Sequence, residues 1–302
     1  MRITELFQNG RPFPSLEIVP PLGGMTKEDL LSSIEPLMEF SPRYINVTTH
    51  RDEFSFEKQA DGSFRRRIVN SRVSPVAVCA CIQARFPVEV VPHIICGGQT
   101  ATDIRRQLQD FRFMGIDNVM ALRGDSTIGE KRFTPTEEGY THASQLVSAI
   151  HEEGPFCVGV GGYPEKHFEA PNMETDIANL KKKVDAGADY IITQMFFDNQ
   201  VFFRFVKLCR EAGITVPIIP GLKPLTSRRQ VKVLPETFSI DLPLALTEAV
   251  ERAGEDAEEV RLLGIQWCID QCRELLSSGV PAVHFYTMSR SDSVAQVLRS
   301  CF

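Results

Sequence analysis

The sequence lacks the features that mark membrane, secreted and nucleic-acid-binding proteins. No apolar run approaches the ~18 residues of a membrane span, and Met1–Phe7 has no continuous apolar core of the kind found in signal peptides. The net charge is −6, so the chain carries no overall basic footprint for nucleic acid. We therefore expect a cytoplasmic protein that binds neither a membrane nor nucleic acid.

Cysteine and glycine motifs are also missing where they would carry a cofactor. Eight cysteines are present, but Cys79-x-Cys81 and Cys268-x-x-x-Cys272 match no paired zinc spacing. Several cysteines lie in apolar segments, where a free thiol behaves as a small buried hydrophobe. Neither a dinucleotide fingerprint nor a Walker loop occurs, because the glycines in 159–162 have the wrong spacing. These patterns predict reduced thiols, no metal site and no Rossmann-type nucleotide site.

Eight short apolar segments are the main feature present, and each runs into a polar residue or a glycine at its C-terminal end. Helical patterns separate most of them, which is the alternation expected of a parallel sheet built from β and α units. In an eightfold (β/α) TIM barrel the strand ends and the loops after them build the active site. The sequence therefore predicts one barrel domain over residues 1–302, with its functional residues on one rim. The eight segments are Ser15–Pro20, Tyr44–Thr49, Val90–Ile95, Asn118–Arg123, Cys157–Tyr163, Asp189–Met195, Val216–Pro220 and Ala282–Tyr286.

Helical patterns fall between these segments, and one connection is unusually long. Pro243–Ser278 is too long for one ordinary helix, and Gly254 is expected to divide it. The connection Arg51–Pro87 follows the second strand and contains a polar loop near Gln59–Ser63 and a possible helix near Ser74–Ala84. Connections of this length are often lids or binding loops. The other predicted helices are Met25–Phe40, Thr100–Met114, Glu137–Glu153, Glu174–Ala186 and Gln200–Glu211.

Glu17 is the first candidate for chemistry, because it interrupts the otherwise apolar run Leu16–Pro21. Apolar surroundings disfavour an ionised carboxylate, so we expect the pKa of Glu17 to be raised and its carboxyl to be able to act as a general acid. The alternative is a glutamate on the strand face that reaches solvent or pairs with an arginine.

Two further strands carry polar residues at or near their ends. Arg123-Gly124-Asp125 follows an apolar strand, and its glycine would let the backbone approach a ligand closely. The alternative is an internal ion pair that closes a turn. His93 lies in the run Val90–Ile95, where it is either a ligand or a hydrogen-bonded core residue.

The helix after the fifth segment carries Asp176, Asn179 and Lys183 at spacings that place them on one face. Such a stripe is usually a solvated surface, and it becomes a binding feature only where it faces a phosphate or a sugar. His167 comes shortly before this helix, and its simplest interpretation is an exposed loop histidine.

Taken together, these segments resemble the methylenetetrahydrofolate reductase family. The resemblance begins at 15–21 (Ser-Leu-Glu-Ile-Val-Pro-Pro) and is strongest over 179–188 (Asn-Leu-Lys-Lys-Lys-Val-Asp-Ala-Gly-Ala) and 192–198 (Ile-Thr-Gln-Met-Phe-Phe-Asp). The motifs span nearly the whole chain in the family's order. The others are 45–48 (Ile-Asn-Val-Thr), 92–93 (Pro-His), 121–125 (Ala-Leu-Arg-Gly-Asp), 162–167 (Gly-Tyr-Pro-Glu-Lys-His), Pro220-Gly221 and 284–290 (His-Phe-Tyr-Thr-Met-Ser-Arg).

The resemblance implies an FAD-containing barrel that reduces 5,10-methylenetetrahydrofolate to 5-methyltetrahydrofolate, which feeds methionine synthesis. NADH or NADPH would supply the electrons through the flavin, with the two substrates using the site in turn. By the same resemblance Glu17 is the general acid that protonates the folate. Asp125 would lie near the flavin and the pterin, where a carboxylate can stabilise a cationic intermediate. The implied substrate-binding residues are Gln194, Gln230, Tyr286 and Arg290.

The flavin-binding positions of the family can be carried over onto this sequence. Asp176, Asn179, Lys182 and Lys183 belong to the helical stripe and would hold the polar parts of the cofactor, including its phosphates. The other implied positions are Thr48, Thr49, His93, Arg123, Gly124, Asp125, Ala143, Tyr163, His167 and Ala170.

Some positions depart from the family. Leu234 stands where an aromatic stacking residue is usual, and Met195 replaces another aromatic, so substrate stacking and the choice between NADH and NADPH stay open. Two other functions are also open: a different FAD-dependent barrel oxidoreductase, similar to proline dehydrogenase, and a folate-binding barrel without activity. The presence of both Glu17 and Asp125 argues against the second. The family resemblance also implies a homo-oligomer.

Overall fold

A closed barrel of eight parallel strands forms the body of the molecule. The structure is a computed structural model. It describes residues 1–50, 53–124, 133–288 and 291–302. In chain order the strands are β1 (Phe13–Ile18), β2 (Tyr44–Val47), β3 (Glu53–Lys58), β4 (Phe64–Asn70), β5 (Glu89–Ile95), β6 (Asn118–Leu122), β7 (Cys157–Gly162), β8 (Tyr190–Met195), β9 (Ile218–Leu222) and β10 (Ala282–Tyr286). Each predicted segment overlaps one barrel strand, so the predicted TIM-barrel fold is confirmed.

The order of strands around the barrel is β1-β10-β9-β8-β7-β6-β5-β2. The last strand returns to the first, with Glu17 opposite Tyr286 in the β1–β10 pairing. On its other side β1 pairs with β2, which places Glu17 opposite Asn46. Strands β3 and β4 are outside the barrel and form an antiparallel hairpin of their own.

Helices follow most barrel strands and cover the outside of the sheet. No helix in the described ranges is both long and apolar enough to cross a membrane. Two short 3₁₀ helices lie at Phe7–Asn9 and Glu35–Phe40. The α-helices are α1 (Ile3–Leu6), α2 (Lys27–Ile34), α3 (Pro75–Arg85), α4 (Ala101–Phe113), α5 (Ala143–Glu153), α6 (Met173–Asp185), α7 (Asn199–Glu211), α8 (Gln230–Phe238), α9 (Leu244–Ala253), α10 (Ala257–Ser277) and α11 (Ser291–Cys301).

Two of the predicted helices differ from the observed ones at an end. The helix predicted over Glu137–Glu153 begins only at Ala143, because Glu138 has a left-handed backbone with φ 57°. The α-helical part of Met25–Phe40 ends at Ile34, and the chain continues as the 3₁₀ helix. The predicted break at Gly254 is confirmed, since this residue separates α9 from α10.

The long connection after β2 contains the hairpin and α3. Its hairpin turn is the polar loop predicted near Gln59–Ser63, where the Gln59 amide donates to the Ser63 carbonyl. Phe56 and Phe64 are 67% and 64% exposed, so this hairpin adds little to the core. Just after the hairpin, Arg72 forms an isolated β-bridge with Leu22, which lies in the segment after β1.

Three groups of buried side chains divide the interior. The largest lies between the barrel and its helices. A second fills the N-terminal end of the barrel, where the Tyr44 and Tyr190 rings meet edge to face at 6.4 Å beneath Ile3 of α1. A third, the cap cluster, contains Met195, Phe197, Leu225, Leu234, Ile240 and Leu246 and packs beside the C-terminal ends of β8 and β9. The open rim therefore lies at the C-terminal ends of the remaining strands.

Candidate active site

Glu17 lies near the C-terminal end of β1 and belongs to a polar group inside the barrel. Its side chain is 15% exposed. Two imidazoles flank the carboxylate: His93 Nε2 lies 3.6 Å and His284 Nε2 3.8 Å from Glu17 Oε2. Both histidines are buried. Glu17 is therefore shielded from bulk water without being sealed from a ligand on the rim.

The surroundings of Glu17 are more polar than the sequence predicted. Burial raises its pKa, but His284, His93 and His50 lower it and outweigh the burial, so the pKa of Glu17 lies below its usual value. The prediction of a raised pKa is therefore wrong. It treated the strand as apolar, whereas His93 and His284 from two other strands face the same carboxylate.

The two histidines have different partners. His93 Nε2 lies 3.1 Å from Asn46 Nδ2, and burial lowers the pKa of His93 to about 4. His284 Nδ1 lies 2.9 Å from Ser15 Oγ, while its Nε2 is buried without a hydrogen-bond partner. His93 is thus the hydrogen-bonded core residue of the second interpretation, and it also faces Glu17.

Tyr286 closes the site on the β9 and β10 side. Its hydroxyl donates to the Thr193 carbonyl at 2.7 Å, and burial raises its pKa. This packing requires glycine at 221, because a Cβ there would lie 2.3 Å from the Thr193 oxygen and 2.6 Å from Tyr286 Cε2. Gln194 is half-buried, and its Oε1 accepts from the Met195 amide at 2.9 Å.

Gln230 and Leu234 lie on α8, close to the cap cluster. Gln230 Oε1 accepts from the Thr226 amide at 2.7 Å, so this side chain also fixes the start of its own helix. Leu234 is 3% exposed and packs in the cap cluster with Met195. The two positions that depart from the family's aromatics are therefore packed inside the protein.

The loop after β7 brings Tyr163, His167 and Ala170 together. The Tyr163 and His167 rings meet edge to face at 4.7 Å. Lys166, whose backbone has a φ of 76°, donates to the carbonyls of His167 at 3.0 Å and Ala170 at 2.7 Å. The loop is half-buried here, so the interpretation of His167 as an exposed loop histidine is wrong.

The helical stripe on α6 divides into an inner and an outer pair. Asp176 accepts from the His167 amide at 3.0 Å, and Lys183 Nζ donates to the Gly161 carbonyl at 2.7 Å, so both face the β7 loop. Asn179 and Lys182 are exposed and hydrogen-bond to each other at 3.1 Å. The solvated-surface interpretation thus holds for the outer pair only.

Arg123 forms an ion pair with Glu169 of the β7 loop and stacks over the Phe133 ring at 4.8 Å. The partner of Arg123 is thus a residue 46 positions further along the chain. Gly124 has φ 83°, and a Cβ there would lie 3.2 Å from the Ile95 Cβ, so glycine suits this close approach. Asp125 and Arg290 lie outside the described residues.

The remaining predicted flavin contacts border the same rim. Thr48 Oγ1 lies 2.8 Å from His50 Nε2. Thr49 Oγ1 donates to the His93 carbonyl at 2.5 Å, which ties the end of β2 to β5. Ala143 is the first residue of α5.

The charge of the β6–β7 rim fits a diphosphate. Burial lowers the pKa of Lys183 to about 8 against the opposing charge of Asp176, so this lysine is largely protonated at neutral pH. Burial, together with the nearby cations Arg123, Lys183 and Lys166, lowers the pKa of His167 to about 4 against the opposing effect of Glu169. Cations around one loop, with amides and rings between them, are the donor set that a dinucleotide cofactor needs. Among the described residues no group of three or more His, Cys, Asp or Glu side chains is placed to hold a metal ion.

Sequence reasoning assigned no role to several residues of this site. Ser15, Asn46 and His284 surround Glu17 from three strands, and Glu169 pairs with Arg123. The signal for His284 is strand alternation: Val283 and Phe285 pack outward in the main core, which turns His284 into the barrel. Glu169 has no such signal, because it lies in an irregular loop.

Comparison with known proteins gives consistent results. The family described as methylenetetrahydrofolate reductase matches residues 2–301. The 5,10-methylenetetrahydrofolate reductase of Escherichia coli (strain K12) is 32% identical over 278 residues, covering 92% of this chain and 86% of that protein. A probable NADPH methylenetetrahydrofolate reductase of Caenorhabditis elegans is 32% identical, and a NADH form from Arabidopsis thaliana is 31% identical. The matches cover 99% and 98% of this chain but 43% and 49% of those proteins, so the chain spans about half of their length.

Solved structures with little sequence identity share the fold. An uncharacterized protein from Clostridium thermocellum that binds two copies of 5-methyl-5,6,7,8-tetrahydrofolic acid superposes with a TM-score of 0.68 at 14% identity, covering 100% of this chain and 98% of that one. Oxaloacetate acetylhydrolase superposes with a TM-score of 0.52 at 10% identity, covering 97% of this chain and 82% of the other. At these identities the likeness concerns the barrel alone.

Proposed function

Because the chain belongs to the methylenetetrahydrofolate reductase family, we propose that it reduces 5,10-methylenetetrahydrofolate to 5-methyltetrahydrofolate. The electron donor is NADH or NADPH, FAD is the bound cofactor, and the two substrates use the site in turn. We also propose a homo-oligomer in the cytoplasm. The chain spans about half the length of several relatives. Its activity, its substrates and its assembly are therefore proposed here and do not follow from family membership alone.

The position of Glu17 carries this proposal. A general acid must reach the substrate and be shielded from bulk water, and a carboxyl with 15% exposure at the end of a barrel strand meets both needs. Glu17 would protonate a nitrogen of the bound folate, which opens the five-membered ring to the iminium form. The family assigns Asp125 the stabilisation of this cation. Since the resting Glu17 is a carboxylate, it must gain a proton before each turnover.

The rim between β6 and α6 has the residues to hold FAD. Arg123, Lys183 and Asp176 would hold the polar parts of the cofactor, with Tyr163 and His167 against its rings. A flavin held there would supply hydride transfer between the two substrates. The protein's part is to bind the cofactor, to orient both substrates over it and to keep bulk water away. Thr48, Thr49, His93, Gly124, Ala143, Ala170, Asn179 and Lys182 are the other proposed contacts.

Four residues are proposed to bind the substrate. Gln194 and Gln230 each use Oε1 in an internal hydrogen bond, so the amide NH₂ is the group that can reach a ligand. Tyr286 is held by its bond to the Thr193 carbonyl and would offer its ring as a wall of the pocket. Arg290 is the family's folate-binding cation.

An anaerobic titration followed by absorbance tests the proposal. The purified protein, reconstituted with FAD, is reduced with NADH or NADPH and then mixed with methylenetetrahydrofolate. We expect the flavin absorbance to bleach with the nucleotide and to return with the folate. Bleaching without recovery would support the other FAD-dependent oxidoreductase. A protein that retains no FAD but binds folate would be the barrel without activity.

A further inference from the structure

Cys301, near the end of α11, lies in a different environment from the core thiols. All eight cysteines are free. Burial raises the pKa of Cys96 and of Cys209 to about 12, as expected of inert thiols among apolar side chains. Cys301 is only half-buried, and its pKa is lowered, first of all because the Cys272 thiol hydrogen-bonds to it. Cys301 therefore forms a thiolate more readily than these core cysteines.

The two thiols meet where α10 and α11 pack against each other. Cys272 lies on α10 and is 0% exposed. Cys301 Sγ donates to the carbonyl of Ile269, on the preceding turn of α10, at 3.8 Å, and it accepts from the Cys272 thiol. Cys268 is also buried on α10, one turn before Cys272, and interacts with Cys301 electrostatically. The hydrogen bond marks Cys272 as the nearest partner of Cys301 in the reduced protein.

A cation from α10 lies beside the last turn of α11. The Arg273 guanidinium donates to the Ser300 carbonyl at 3.2 Å, which holds its charge next to Cys301. This charge lowers the pKa of the Cys301 thiol further, whereas burial and Asp270 raise it but are outweighed. A positively charged neighbour, partial exposure and an adjacent second thiol together distinguish cysteines that react with oxidants from structural ones.

We propose that Cys301 is a site of oxidation by hydroperoxides and that Cys272 resolves the oxidised thiol as a disulfide between α10 and α11. This inference does not depend on the proposed function. The Cys301 thiolate attacks one oxygen of hydrogen peroxide, the O–O bond breaks, and hydroxide leaves, so that the product is a sulfenic acid. The Cys272 sulfur then attacks the Cys301 sulfur and breaks its S–O bond, and the Cys272 proton leaves with the hydroxyl group as water. The two thiols have then lost two electrons to the peroxide, which has become two molecules of water.

A disulfide at this position would fasten α11 to a helix that supports the candidate site. Next to Cys272, Gln271 Nε2 donates to the Phe196 carbonyl at 3.2 Å, and one turn earlier Trp267 Nε1 donates to the Phe197 carbonyl at 2.9 Å. Both carbonyls directly follow β8. The cross-link would close a loop of about 30 residues, so it would restrict the unfolded chain and stabilise the oxidised protein.

Treatment of the purified protein with hydrogen peroxide, followed by intact and peptide mass spectrometry, tests the proposal. We expect the wild type to lose two hydrogen atoms and to yield a peptide cross-linked between Cys272 and Cys301, which dithiothreitol separates again. The oxidised protein should also melt a few degrees higher than the reduced one. Cys81→Ser is the matched control, because Cys81 is half-buried like Cys301 but lies on α3. This variant should show the same cross-link and the same shift in melting temperature.

Two variants separate the attacking thiol from the resolving one. In Cys272→Ser the sulfenic acid of Cys301 should accumulate and be labelled by dimedone, whereas Cys301→Ser should give neither the label nor the disulfide. If Cys272→Ser fails to fold, alkylation of the wild type at neutral pH replaces it, and iodoacetamide should modify Cys301 at least 10-fold faster than Cys81. Equal alkylation of these two thiols would overturn the proposal. So would a peroxide-treated wild type that keeps all its thiols or cross-links Cys268 instead of Cys272.

Discussion

The charged side chains on the rim that we propose binds FAD already have partners inside the protein. Arg123 is paired with Glu169, and Lys183 donates to the Gly161 carbonyl. These contacts hold both cations near one loop before a cofactor arrives, which reduces the ordering that binding must impose. Arg123 is also held by its stacking on the Phe133 ring, and Lys183 by its hydrogen bond to the Gly161 carbonyl.

Replacing Lys183 by alanine should weaken the retention of FAD. The change removes a half-buried cation and leaves the Gly161 carbonyl without its donor, so we expect FAD affinity to fall by at least 10-fold. Asp176→Ala should weaken retention too, because it frees the His167 amide and loosens the loop. Flavin content after dialysis measures the effect. Lys181→Ala on the same helix is the control. Equal flavin content in all variants would show that these α6 residues are a solvated surface and do not bind the cofactor.

The buried His93 should make the protein less stable in acid. Its pKa is about 4 in the folded state and about 6.5 when unfolded, so the unfolded chain binds more protons between these values. The contribution of His93 to stability therefore falls as the pH drops through this window, by about 2 kcal/mol between pH 7 and pH 5. Denaturant unfolding of the cofactor-free protein at both pH values measures it. His93→Gln should reduce the pH dependence by this amount and leave the part that His167, whose pKa is also about 4, contributes, while His151→Gln should leave it unchanged; the same slope in both variants would contradict the assignment.

For single residues, the sequence predicted which side chains belong to the candidate site better than it predicted the groups around them. Glu17 could be selected because it is a lone carboxylate in an apolar run. Its low pKa could not be predicted, because His93 and His284 come from strands that are distant in sequence. The same holds for the Arg123–Glu169 pair, which depends on how two loops meet.

Among the elements, the barrel strands were predicted well and the exposed elements poorly. The strands are buried on both faces and appear as short apolar runs. The β3–β4 hairpin has exposed phenylalanines and charged residues on both strands, so its described side chains over 55–58 and 64–68 form no buried face that would produce a pattern. Helix α8 was missed because Pro235 interrupts its pattern. Helix α5 begins later than predicted, after the left-handed Glu138. Nothing in the sequence around Glu138 marks a left-handed backbone.

The contact of α10 with the loop after β9 gives a prediction about a single element. A Cβ at Gly264 would lie 1.8 Å from the Leu225 carbonyl oxygen, so the helix can approach this backbone only with glycine. Helix propensity alone would make Gly264→Ala stabilising by about 1 kcal/mol. The clash with backbone outweighs this, and we expect the free energy of unfolding to fall by about 2 kcal/mol.

Thermal and denaturant unfolding measure the sign of this change. Ser277→Ala, on the exposed end of the same helix, is the control and should be neutral or slightly stabilising. A Gly264→Ala protein that is more stable than the wild type would show that helix propensity dominates. It would also show that α10 does not contact the backbone after β9 as closely as the structure indicates.

The whole molecule is a barrel with one end filled and the other end lined with functional groups. Aromatic side chains and α1 fill the N-terminal end, and the polar residues collect at the opposite rim. The alternation of apolar segments and helices was enough to predict this architecture, because each barrel strand must be buried on both faces. The separation of the Arg123 and Lys183 rim at β6–α6, where we propose that FAD binds, from the Glu17 group at β1, β5 and β10 could not be predicted without the strand order around the closed sheet.

The central claim is that Glu17 is the acid of the folate half-reaction, and Glu17→Gln tests it most directly. The FAD-loaded variant is reduced with NAD(P)H and then mixed with methylenetetrahydrofolate in a single turnover, with the wild type beside it. We expect flavin reduction at the wild-type rate, and reoxidation by folate slower by roughly 10²–10⁴, the contribution of a positioned general acid. Reoxidation at the wild-type rate would contradict the account.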